Sequence, residues 1–123
     1  MNFFNIAYYI APFIGLATTV IGICAVIRPQ KMAIKFGISA SESALPYVIS
    51  TGIRDVFIGL TVLILFYQKE WEALGAINLC ISIVAISDFK VVQKNGNKKA
   101  SYTHLGGAIA VILYGLWLLS KPY

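Results

Sequence analysis

Charged residues are what this sequence has least of: they make up 12% of 123 residues, about half the share in an ordinary soluble domain. That scarcity excludes a solvated polar surface wrapped around a separate core. Histidine occurs once, as His104, so a histidine-built metal site has no second imidazole to draw on. The two cysteines, Cys24 and Cys80, form no C-x-x-C pair. They are read as core thiols at different depths, beyond the reach of a disulfide. No phosphate-cradling glycine loop and no nucleophile elbow is present. Neither a cofactor nor a metal is expected.

Basic residues outnumber acidic ones by 10 to 5, but no Arg-rich arm or nucleic-acid fold motif accompanies the excess. The lysines instead collect beside apolar stretches, where they suit lipid headgroups; the expected partner is a bilayer and not a nucleic acid.

Apolar sequence is what is abundant, at 59% of the chain. A membrane span takes about 20 predominantly apolar residues, and four such stretches are placed at about 5–27, 46–67, 73–92 and 102–119. The first has no basic leader, and Arg28-Pro29 stands where a signal-peptide cleavage site would be. It is therefore expected to stay as helix 1. Pro29 opens a short interfacial helix with Met32, Ala33 and Phe36 on its apolar edge, and a serine-rich turn leads to helix 2. The expected fold is all-α: an integral membrane four-helix up-down-up-down bundle, one domain over 1–123, with that interfacial segment between helices 1 and 2. Seven Lys and Arg residues flank the first and third loops and two lie on the other side. The positive-inside rule then puts loops 28–45 and 93–101 in the cytoplasm and both termini outside a cell membrane.

Within and beside the spans stand Arg54, Asp55, Asp88 and His104. A charge in hydrocarbon costs about 2.5–3.5 kcal/mol on insertion scales, so each is expected to face a partner or a ligand. Arg54 is about 12 Å of helix beyond Pro46, Asp88 is about one turn from the end of helix 3, and His104 opens helix 4. All three therefore converge in the cytoplasmic half. Neighbours Arg54 and Asp55 are about 100° apart on the helix, so each is expected to reach to another helix, Arg54 to Asp88 and Asp55 to His104 or a loop lysine. These four are the candidate catalytic group, with Tyr47, Ser50, Thr51, Asn78, Ser82 and Tyr102 lining a ligand site. Gly52 and Gly59 share a seam on helix 2, and Gly107 lies on the small-residue side of helix 4; all three are expected in close packing. Ala11, Gly15, Thr19 and Gly22 form a small-residue stripe on helix 1, a face that lets another helix approach closely.

Arg28-Pro29, Phe36-Gly37-Ile38, Gly52-Ile53-Arg54-Asp55, the late Asp88 and His104-Leu105-Gly106 occur in one order along nearly the whole chain. In this the sequence resembles the small four-helix membrane family of domain of unknown function 4267, found in bacteria and fungi. That family commonly has a His-Gly pair where Leu105 here separates His104 from Gly106. The resemblance implies the architecture and the same polar residues; it implies no reaction. The expected function is binding or processing of a small amphipathic, lipophilic molecule at the Arg/Asp/Asp/His group. A guanidinium, carboxylates and an imidazole suit proton transfer, which leaves enzyme and receptor both open. The alternatives are a proton-coupled small-solute transporter, which needs a homo-oligomer to enclose a path, and a structural or accessory subunit.

Overall fold

The computed structural model describes residues 3–122, with side chains from Ile6 onward, and all regular structure among them is helical. Six α-helices follow in order: α1 (Phe3–Tyr8), α2 (Ile10–Ile27), α3 (Pro29–Phe36), α4 (Leu45–Gln68), α5 (Trp71–Asn95) and α6 (Lys98–Leu119). A 3-10 turn at Glu42–Ala44 leads into α4. Four stretches are long and apolar enough to cross a membrane: Ile6–Ile27, Glu42–Gln68, Trp71–Asn95 and Lys98–Leu119, of 22, 27, 25 and 22 residues. At 1.5 Å per residue even the shorter ones exceed the roughly 30 Å of bilayer hydrocarbon. Phe13, Ile27, Phe57, Ile83 and Leu113 point outward, as a lipid-solvated exterior requires.

Prolines set the first two helix boundaries and a glycine the third. Pro12 has no N–H to give the Tyr8 carbonyl four residues earlier, and its ring crowds that oxygen. The chain breaks at Tyr9, and the Tyr8 carbonyl instead accepts from the Tyr114 hydroxyl at 3.3 Å. Pro29 excludes the helical conformation from Arg28 (φ −134°, ψ 61°), which ends α2. Gly37 closes α3 at φ 106°, its N–H bonded to Ala33 and Ile34 carbonyls.

Helices α5 and α6 are longer than the composition of their connections suggests. Trp71 and Glu72 belong to α5, which runs on through Lys94 to Asn95. Helix α6 starts at Lys98, because lysine is a good helix former and only Gly96 and Asn97 interrupt the backbone. The Asn97 side chain caps α6 by accepting from the N–H groups of Lys99 and Ala100.

Two helix pairs pack most closely, α2 with α4 and α5 with α6. Glycine is the reason. A Cβ on Gly22 would lie 2.5 Å from the Gly52 carbonyl oxygen, and one on Gly59 would lie 2.6 Å from that of Gly15. The contacts of α2 and α4 thus run in opposite chain order, and the small-residue stripe of helix 1 meets the Gly52–Gly59 seam. In the second pair, Gly75 and Gly115 face each other's carbonyls. The two pairs join at one end through buried Ala11, Val62, Leu74, Tyr114 and Leu118, flanked by Tyr8, Phe66, Trp71 and Trp117. At the opposite end α3 docks on the α5–α6 turn, where the Asn97 N–H donates to the Gly37 carbonyl at 2.8 Å.

Two packing expectations are corrected. Gly107 is exposed, with nothing within 4 Å of a built Cβ, so it makes no close approach within this chain. The face of α6 that meets α5 is instead the one carrying Ala108, Val111 and Gly115. Cys24 and Cys80 are free and exposed, not core thiols, because the glycine faces of α2 and α5 take the interior.

Candidate functional site

Three helices bring the ionisable residues together. Arg54 lies about 13 Å along α4, Asp88 about 10 Å before the end of α5 and His104 about 9 Å into α6. All three measure from the end of the molecule where α3 meets the α5–α6 turn.

Arg54 is the centre. Its Nε and Nη2 donate to Asp55 Oδ1 at 3.1 and 3.0 Å, and the same Nη2 donates to Asp88 Oδ2 at 3.4 Å. The inter-helix bridge is the one the sequence pointed to, whereas the Arg54–Asp55 contact corrects the expectation that these neighbours could not pair. The guanidinium folds back along its own helix, because its long flexible stem spans the 100° between adjacent positions more easily than a rigid side chain would. Asp55 therefore bonds neither His104 nor a loop lysine.

His104 takes its position from α3. Its Nε2 lies 3.0 Å from the Phe36 carbonyl oxygen, and the two rings are 4.4 Å apart at 52°. A carbonyl only accepts, so Nε2 carries the hydrogen, and in the neutral ring Nδ1 is then the acceptor. Arg54, Asp55 and Asp88 thus form one ionic group, while the hydrogen bond of His104 is to the Phe36 carbonyl. The site is not sealed: the Arg54 side chain is 37% exposed, and those of Asp55 and Asp88 are 18% and 19% exposed.

A family model described as Domain of unknown function (DUF4267) matches residues 15–118. The chain belongs to that family. No curated protein and no solved structure matches it. The DUF4267 match takes in α3, Arg54, Asp55, Asp88 and His104, and begins beyond Tyr8, which sits in the aromatic group at the other end.

The remaining candidates of this DUF4267 chain are dispersed. Tyr47 and Ser50 are exposed on the first turns of α4, and Thr51 bonds its own helix at the Tyr47 carbonyl. Tyr102 is exposed beside Phe89, with ring centroids 6.3 Å apart. Asn78 and Ser82 are buried on α5, Asn78 against Gly115 of α6 and about 15 Å along the helix from Asp88. Their donors go to the Leu74 and Leu79 carbonyls of their own helix, and Asn78 Oδ1 has no partner among the described residues. None of the six hydrogen-bonds to the Arg54 group. The residue missed by sequence reasoning is Phe36, whose carbonyl and ring position His104. Its place in Phe36-Gly37-Ile38 was visible, but only folding directs a backbone oxygen across 68 positions. No group of three His, Cys, Asp or Glu residues suited to a metal ion occurs among the described residues.

Proposed function

We propose that this protein is a receptor in the cell membrane for a small amphipathic molecule, whose head binds Arg54, Asp55, Asp88 and His104. The helices thread the bilayer up-down-up-down, the termini lie outside, and residues 28–45 and 93–101 face the cytoplasm with the lysines. The site then opens in the cytoplasmic half of the bundle. The molecule's tail lies along the apolar exterior while its head leaves the headgroup region for the ionic group.

The observation that carries this reading is the openness of the ion group. A purely structural bridge between membrane helices gains by closing around its charges, since hydrocarbon does not solvate them. Here every member of the bridge keeps exposed surface and unused hydrogen-bonding capacity. The transporter alternative draws support from one other feature, the open surface over Gly106 and Gly107, a face small enough for a second copy to approach.

The test is the double variant Arg54→Met with Asp88→Leu. An ion pair can be replaced by apolar residues of similar volume at little cost, but Asp55 loses its Arg54 partner, so thermal stability in detergent should fall by the cost of that one unpaired carboxylate while the fold persists. Wild-type protein extracted from membranes should retain an amphipathic molecule, identified by mass spectrometry, that the double variant and His104→Ala have lost, while Lys98→Ala keeps it. Equal retention by all four proteins would reduce the ionic group to a packing device.

A further inference from the structure

We infer that the head group received by this site is a protonated amine: Asp55 and Asp88 form an ammonium receptor, with Arg54 holding the two carboxylates side by side. This rests on the reading that the site binds an amphipathic molecule, and it assigns that molecule its charge.

Hydrogen-bonding capacity decides the sign. Arg54 has spent Nε and Nη2 on the carboxylates, and both bonds to Asp55 fall on the same oxygen, Oδ1. Asp55 Oδ2 and Asp88 Oδ1 accept from none of the described residues, although both carboxyl groups are within hydrogen-bond reach of one guanidinium nitrogen. With Nε2–H committed to the Phe36 carbonyl, a neutral His104 adds Nδ1 as a further acceptor. An ammonium group offers three N–H donors and no acceptor, the complement of that set. Arg54 Nη1 still offers N–H groups, which suit a hydroxyl or carbonyl carried near the amine.

Charge points the same way. One guanidinium against two carboxylates leaves a formal excess of one negative charge while His104 is neutral. The ion pairs of Asp55 and Asp88 are both with Arg54, at 3.0 and 3.4 Å, and among the described residues no lysine of the neighbouring loops bridges to either carboxylate. An anionic head would have to approach Arg54 between two carboxylates that already hold it. A cationic head gains charge-assisted hydrogen bonds in surroundings of low dielectric, where these are strongest.

The experiment uses three twelve-carbon probes that differ only in head: dodecylamine, dodecanol and dodecanesulfonate. Each is titrated at pH 7, below micelle formation, into the full chain in phosphatidylcholine nanodiscs. Empty discs supply the partition background. Dodecylamine should bind saturably and more tightly than the other two. Asp55→Asn and Asp88→Asn should each weaken it by about 10- to 100-fold, the worth of one charge-assisted hydrogen bond. Asp88→Glu should restore most of that loss, and the exposed Ser87→Ala should bind as wild type. If an Asn variant fails to fold, the order of the three probes on the wild-type chain decides alone. Saturable binding of dodecanol or dodecanesulfonate as tight as the amine, lost in Arg54→Gln, would overturn the amine assignment and keep the amphiphile reading. Binding of no probe above the empty discs would overturn both.

Discussion

Replacing Gly22 by alanine perturbs the α2–α4 seam where the two backbones are closest. The added methyl would meet the Gly52 carbonyl oxygen at 2.5 Å and the Val56 nitrogen at 2.6 Å, against ordinary contacts of 3.4 Å or more. Both obstacles are backbone, so no rotamer change relieves them and the helices must separate by about 1 Å. A shift of that size forfeits a quarter to a half of the dispersion energy of each atom pair along the contact. Overpacking of this kind costs about 1–3 kcal/mol, and the better helix propensity of alanine returns up to about 1 kcal/mol. A net loss of about 1–2 kcal/mol is expected. Gly107→Ala carries the same propensity gain and meets nothing within 4 Å, so it should be neutral or mildly stabilising. Unfolding in mixed micelles of mild detergent and dodecyl sulfate, followed by tryptophan fluorescence, measures both. If Gly22→Ala is as stable as Gly107→Ala, the seam is not glycine-dependent and the reasoning fails.

Other outcomes follow from single residues. Asn78→Leu should hold or raise stability by about 1 kcal/mol in the same assay, because it removes a buried acceptor that has no partner; a clear loss would mean that Asn78 Oδ1 receives a hydrogen bond in the membrane. Gly37→Ala places a side chain at φ 106° and within 2.8 Å of Val92 Cγ1, so α3 should detach from the α5–α6 turn. Protease sensitivity near Ser39 should then rise, and an unchanged digestion pattern would count against the docking. For topology, after replacement of Cys24 and Cys80, a single cysteine at Asn97 should be labelled only from the cytoplasmic side and one at Lys121 only from outside. Reversed labelling would move the whole site to the outer half.

Local chemistry determined the helices. The length of each apolar run, the prolines at 29 and 46 and the glycines at 37 and 96 are properties of neighbouring residues, readable without a fold. The family could also be read from the ordered motifs, and the matched residues 15–118 agree with it. The Gly52–Gly59 seam was legible too, because a spacing of seven residues fixes a helical face before any partner is known.

Tertiary structure decided which faces meet. Periodicity names a small-residue face for α6 but does not say whether Gly107 or Gly115 lies inside it, since the arc covers both. Packing chose Gly115 through Gly75, a partner 40 positions away. The same holds for the site. Sequence placed Arg54, Asp88 and His104 at one depth, because depth is only distance along a helix. It could not tell that Arg54 would fold back onto Asp55 while reaching Asp88, or that a carbonyl on α3 would orient His104. Those contacts depend on helix rotation and on side-chain torsions, which are fixed by neighbours remote in the chain.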